Sequence, residues 1–264
     1  MKKQEENVTK SAKKEKIHIS KKKVALVVII IVLLVLIIGV VRYLSFCLPA
    51  DEEALAAMIS TKEVTVEQVD NTIVFTPTNC EPTVGYIYYP GGQVEPESFA
   101  YAASEIAKSG VIVIIQRMPF NLAVFGKDRA FHVIDSHPKI DKWYIGGFSL
   151  GGVSACMAAS KNADEFEGII LYASYTTKNY SLADSNLKVL SLSGTNDGLA
   201  TPDKIEKNKI YLPEDTKYVA IPGGNHTQFA IYGEGQLQKG DNEASLSRME
   251  QQDVVIKETV DFIN

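Results

Sequence analysis

The sequence predicts an α/β fold, a mostly parallel sheet flanked by helices on both faces, preceded by one helix of a different kind. Three observations predict it. Short runs of β-branched and aromatic residues alternate with helical segments along most of the 264 residues, the order that builds parallel sheets. Some of those runs, such as Val111 to Ile115, are apolar without a break, as in strands buried on both faces. A third segment, Val24 to Val41, runs for 18 residues with no charged or polar side chain. A core helix of that length would show a polar face, and this one has none.

Residues 1–23 carry nine Lys against three Glu, a charge of +6 in a chain whose net charge is −5, which leaves −11 for residues 24–264. As a helix, residues 24–41 would extend about 27 Å, close to the ~30 Å hydrocarbon core of a bilayer. The Lys-rich flank predicts a single-pass protein of the cell membrane with its N-terminus cytoplasmic and the rest of the chain outside. A cleaved signal peptide would have a shorter apolar run and a small-residue cleavage site, which Arg42 to Phe46 does not offer. Leu44-Ser45-Phe46-Cys47 faintly resembles a lipoprotein acylation box, with bulky Phe46 where a small residue belongs, so lipidation at Cys47 is a third reading. Residues 42–62 read as a juxtamembrane stalk, with a short amphipathic helix opened by Asp51-Glu52-Glu53. Residues 63–264 read as one domain.

Within that domain, strands are expected at 63–69, 72–77 and 83–89. A helix at 97–109 follows, closed by Gly110 in the position that favours a left-handed backbone. Then come a strand at 111–115, a helix at 121–136, a strand at 142–147 and a helix at 150–160. Strands at 168–172 and 188–192, a short helix at 202–208, a strand at 217–221 and a terminal helix at 244–263 complete the order. No long helical insertion offers a separate lid. Of three Cys, Cys156 lies in an apolar helix and reads as a core residue, while Cys47–Cys80 pairing stays open.

Apolar residues make up 45% and charged residues 22%, as in an ordinary globular protein. An acidic domain without a basic aromatic face excludes a nucleic-acid partner. No Cys/His cluster has zinc spacing, and neither a metal nor an organic cofactor is called for.

The strongest chemical signal is Gly147-Phe148-Ser149-Leu150-Gly151, flanked by Gly146 and Gly152. It lies between a strand and a helix, where a serine on a sharp turn projects its hydroxyl beyond the sheet edge. A phosphate loop would need Lys and Ser/Thr where Val153 stands. A serine nucleophile needs a base. Of the four His, His18 lies in the tail, His132 and His137 precede the nucleophile strand, and His226 follows the last strand in a glycine-rich loop. Asp197, in Asn196-Asp197-Gly198 after the strand at 188–192, supplies the acid, with Asp203 in reserve and Asp184 behind it. The chain order Ser149, Asp197, His226 is the one expected of a strand–turn–helix nucleophile. The oxyanion donors are expected to be the backbone N–H of Leu150 and one from the Pro90-Gly91-Gly92-Gln93 loop, Gln93 first and Gly92 second. Phe148, Met118, Phe120, Phe229 and Tyr232 are the candidate walls of a substrate pocket, or else core packing.

With those residues placed, 63–264 resembles the α/β-hydrolases. Within that superfamily it is similar to the dienelactone-hydrolase-like group, including membrane-anchored members of Gram-positive bacteria. The likeness lies in Tyr89-Pro90-Gly91-Gly92, in Met118-Pro119-Phe120-Asn121-Leu122-Ala123, in Gly224-Asn225-His226-Thr227-Gln228-Phe229 and in Gln238-Lys239-Gly240-Asp241. It implies an α/β-hydrolase fold and a Ser-His-Asp triad. True dienelactone hydrolases carry Cys as nucleophile where this chain has Ser149, which turns the expectation toward an ordinary serine esterase. The expected activity is cleavage of a carboxylic ester, or a lactone, in a small-molecule or lipid-like acyl substrate. Acyl transfer by the same triad and a non-catalytic surface binding module are the alternatives.

Overall fold

The computed structural model describes residues 20–44 and 46–264, in two units that divide after Leu44. Residues 1–19, most of the Lys-rich tail with His18, lie outside the described residues. The first unit is a helix, α1 (Lys21–Leu44), long and apolar enough to cross a membrane by length and composition.

The second unit holds one eight-stranded sheet: β1 (Val64–Val69), β2 (Thr72–Pro77), β3 (Val84–Tyr89), β4 (Ile112–Gln116), β5 (Lys142–Phe148), β6 (Gly168–Tyr172), β7 (Lys188–Gly194) and β8 (Lys217–Ile221). Their order in space is β1-β2-β4-β3-β5-β6-β7-β8. The β1–β2 hairpin and the β2–β4 pair are antiparallel, and every pair from β4 through β8 is parallel. Successive side chains of a strand face opposite ways, and the inner strands β3 to β7 are buried on both faces. Tyr86, Tyr88, Val113, Ile115, Tyr144, Ile170 and Tyr172 join one core with α3 (Ala100–Ala107) and α7 (Arg248–Ile263). Ile87, Tyr89, Ile114, Ile145, Ile169 and Leu171 join the other with α4 (Arg129–Ser136) and α5 (Leu150–Ala159). Each large side chain fully buried here stabilises the fold by roughly 1.5–3 kcal/mol. α6 (Pro202–Asn208) follows β7.

Three expectations are corrected. Residues 121–136 are not one helix: 3₁₀ turns at Pro119–Asn121 and Ala123–Gly126 precede α4. Phe120 and Asn121 take left-handed backbone (φ 56° and 52°), which a continuous right-handed α-helix does not tolerate. The Tyr89 hydroxyl then fixes where α4 starts, donating to Lys127 O (2.6 Å) and accepting from Ala130 N (3.0 Å). The terminal helix begins at Arg248 rather than 244, because Ser247 and Glu250 form a reciprocal capping box.

The stretch read as a stalk is docked on the domain. Leu48 pairs with Val94 and Ala50 with Tyr232. Asp51 accepts from Arg248 Nη1 (2.5 Å) and from Glu234 N (2.7 Å), and Ala54 of α2 (Glu52–Ala56) is fully buried. Backbone groups of the segment and the Asp51 carboxylate bond to the domain, which a free stalk cannot do. All three cysteines are free, so Cys47 and Cys80 do not pair. Burial pushes the Cys156 thiol up to about 12, which fits an inert core residue.

Candidate active site

Six parallel strands end along one edge of the sheet, and the loops after β5, β7 and β8 carry Ser149, Asp197 and His226 to it. Ser149 sits between β5 and α5 with φ 52° and ψ −118°, a conformation that costs a non-glycine residue about 1–3 kcal/mol. Its surroundings hold it there. Ser149 N donates to Tyr172 O (2.9 Å), and the Ser174 hydroxyl donates to Ser149 O (2.8 Å). Glycines allow the close approach of β3. A Cβ on Gly147 would lie 2.2 Å from Tyr89 O, and one on Gly151 would lie 2.0 Å from the same oxygen.

Asp197 and His226 form a buried pair, each 2% exposed. His226 Nδ1 donates to Asp197 Oδ2 at 2.8 Å, because a carboxylate oxygen there can only accept. The other carboxylate oxygen, Oδ1, accepts from Leu199 N and Ala200 N at 2.7 Å each. With its proton on Nδ1, the neutral imidazole presents Nε2 as an acceptor. That Nε2 is buried and has no hydrogen-bond partner in the described residues, Ser149 included. The ring rests on Phe148, the neighbour of Ser149, at 4.7 Å between centroids, and Phe148 stacks on Phe229 at 6.2 Å. Catalytic hydrogen bonds are often loose without substrate.

The loops of the acid and the histidine are fastened by residues that sequence reading did not single out as functional. Asp241 Oδ1 accepts from Gly198 N (2.9 Å), next to the acid. Its Oδ2 accepts from Thr227 N (2.8 Å) and the Thr227 hydroxyl (2.7 Å), next to the histidine. Asn242 follows suit, donating through Nδ2 to Asn196 O (3.1 Å) and accepting at O from Asn225 Nδ2 (2.8 Å). From α7, the Gln251 amide bonds both Asn225 N (3.0 Å) and Asn225 O (2.9 Å). In the sequence, Asp241 stands out only as the last residue of Gln238-Lys239-Gly240-Asp241, with no role attached.

The remaining candidates divide. The N–H of Leu150 opens α5, where the helical pattern offers it no partner. Gln93 N donates to Asn121 O (2.8 Å), so the first choice of oxyanion donor in that loop is already engaged. Gly92 lies beside Leu150: a Cβ there would stand 3.2 Å from Leu150 Cδ2. Of the five pocket candidates, Phe148 and Phe229 back the histidine. Met118 is buried in the α4/α5 core and Tyr232 in the α3/α7 core, while Phe120 is 57% exposed, so the five do not form one wall. His137 is a turn residue at the end of α4, its Nδ1 2.8 Å from Val133 O. Asp203, in the first turn of α6, and Asp184, in a turn before β7, are both exposed.

Residues 85–253 match the alpha/beta hydrolase family, well over half of the chain. The chain belongs to the alpha/beta hydrolase family. Among solved structures, this hydrolase is similar to a predicted CIB-like hydrolase from Thermoplasma acidophilum. The two share 17% identity and a TM-score of 0.54, over 75% of this chain and 97% of that one. At that identity the likeness concerns the fold. A comparison with curated proteins gives no match.

Proposed function

We propose that this hydrolase is a membrane-anchored serine esterase acting outside the cytoplasmic membrane, with Ser149 as nucleophile, His226 as base and Asp197 as the acid that orients it. The observation that carries the reading is the buried Asp197–His226 pair, at the sheet edge where the strained Ser149 turn stands. Ser149 Oγ attacks the ester carbonyl as His226 Nε2 takes its proton. The same nitrogen returns that proton to the leaving alkoxide, and water then releases the acyl group by the reverse sequence. Asp197 holds the tautomer that leaves Nε2 free to accept. The oxyanion falls to the N–H groups of Leu150 and, with Gln93 engaged elsewhere, of Gly92.

Within the family, we group the chain with the dienelactone-hydrolase-like, membrane-anchored members on the motifs it shares with them. Helix α1 is read as the anchor, its Lys-rich side cytoplasmic. Replacing Ser149 with Ala should cut kcat on p-nitrophenyl acetate by roughly 10⁴–10⁶ and abolish labelling by a fluorophosphonate probe. Full turnover or full labelling of Ser149→Ala would overturn the assignment.

A further inference from the structure

The loop after β4 holds a large aromatic side chain in water by force of its backbone. Phe120 (φ 56°) and Asn121 (φ 52°) are consecutive left-handed residues, a conformation that a bulky side chain rarely adopts. Asn121 N bonds Met118 O (3.1 Å), Leu122 N bonds Pro119 O (3.0 Å), and Asn121 O accepts from Gln93 N (2.8 Å). The result is an exposed apolar lip. Phe120 is 57% exposed, Phe125 60% and Val124 37%, and the two rings meet edge to face at 5.9 Å. Core packing accounts for none of these three. The lip adjoins the site: Leu122 and Leu150 side chains together cover Gly92, at 3.5 and 3.2 Å from where its Cβ would lie.

What covers such a lip follows from the chain itself. Gln93 gives its N–H to Asn121 and its carbonyl to Leu48 N (2.7 Å). Leu48 comes four positions after Leu44, the last residue of α1, so at most about 14 Å of extended chain separates them. Between them, Phe46 is 54% exposed. One residue thus fastens both the lip and the segment that leaves the apolar helix. Apolar faces that carry Phe bury themselves at the boundary between headgroups and acyl chains.

We infer that Phe120, Val124 and Phe125 dock on the lipid surface beside Ser149, and that the ester cleaved is an acyl lipid of that bilayer. The inference rests on the serine-esterase and membrane-anchor readings above and names their substrate class. Anchoring in the same membrane gives a lipid ester a high effective concentration at the site, without tight binding.

The test uses the full chain in phosphatidylcholine–phosphatidylglycerol vesicles. The one native tryptophan, Trp143, is 4% exposed and serves as the internal reference. In Phe125→Trp, the added emission should be blue-shifted and quenched by lipids brominated in the upper acyl chain, with Trp143 unaffected. The result should be the same in the Ser149→Ala background, since docking needs no turnover. Emission that stays red and unquenched overturns docking. Emission that turns blue without quenching, and only at several chains per vesicle, assigns the lip to a second copy and also overturns it. Loss of the wild-type chain from floated vesicles would instead fail the anchor. In the same vesicles, Val124→Ser with Phe125→Ser should lower the rate on a long-chain glycerolipid, relative to a soluble acetate ester, by about fivefold or more. An unchanged ratio overturns the lipid substrate. No turnover of either ester by the wild type would fail the esterase reading itself.

Discussion

The Ser149 turn and the His226 loop stand at the same edge of one sheet, and the chain fixes them by opposite means. The serine turn is a steric device. Gly147 and Gly151 let it close on Tyr89 O at distances that admit no Cβ, and the backbone of Ser149 is tied on both sides. The histidine loop is a polar device. Its backbone is stapled by side chains 14 to 26 positions downstream, Asp241 and Gln251 among them. Close approach fails abruptly when one methyl group is added, because backbone atoms cannot swing aside. A staple made of several hydrogen bonds fails by degrees, about 0.5–1.5 kcal/mol for each ordinary bond and more when a carboxylate accepts it.

The same difference decides how much could be read from sequence. A steric turn must be encoded locally, and Gly146 to Gly152, lying between an apolar strand and a helix, displays it. The parallel strands are equally legible: 168–172 and 217–221 match to the residue, the first because a strand buried on both faces is apolar along its whole length. A staple needs only one Asp, Asn or Gln at the right place in three dimensions, and such residues are common in any loop. Asp241 and Gln251 therefore carried no signal of their own. Elsewhere, non-local bonds overrode local pattern. The left-handed pair at Phe120 and Asn121 breaks a run that otherwise looks helical, and Asp51 ties an expected stalk to the domain through Arg248.

The largest effect should come from the steric side. A Cβ in Gly151→Ala would stand 2.0 Å from Tyr89 O and 2.5 Å from Pro90 O, so β3 and α5 must part. We expect a loss of at least about 3 kcal/mol, seen as a large fall in Tm or as failure to recover folded protein. A wild-type Tm would mean that the turn has slack and that the contrast with the histidine loop is false.

On the polar side, Asp241→Asn keeps the shape and one acceptor but cannot accept from both Gly198 and Thr227 as the carboxylate does. The expected cost is about 1–3 kcal/mol in stability, short of the glycine variant. Because the staple spans the Asp197 and His226 loops, the triad proposed above predicts that kcat falls about 10–100-fold while KM moves little, as expected when a base is misaligned. A Tm loss with kcat unchanged would reduce Asp241 to scaffold.

The smallest effect separates the two devices by their response to acid. Burial raises the pKa of Asp241, but the N–H of Gly198, the hydroxyl and N–H of Thr227 and the N–H of Asn242 lower it further, so it ends below its ordinary 3.8. A carboxyl depressed in the folded state stabilises it above the unfolded pKa of about 3.9 and loses that contribution as pH falls through the folded value. The Tm gap between wild type and Asp241→Asn should therefore be full at about pH 6 and narrow as pH falls below about 4. The gap for Gly151→Ala involves no proton and should hold its size across the same range. If both gaps closed together in acid, the fold would be loosening as a whole, and the line drawn between a steric lock and a charged staple would disappear.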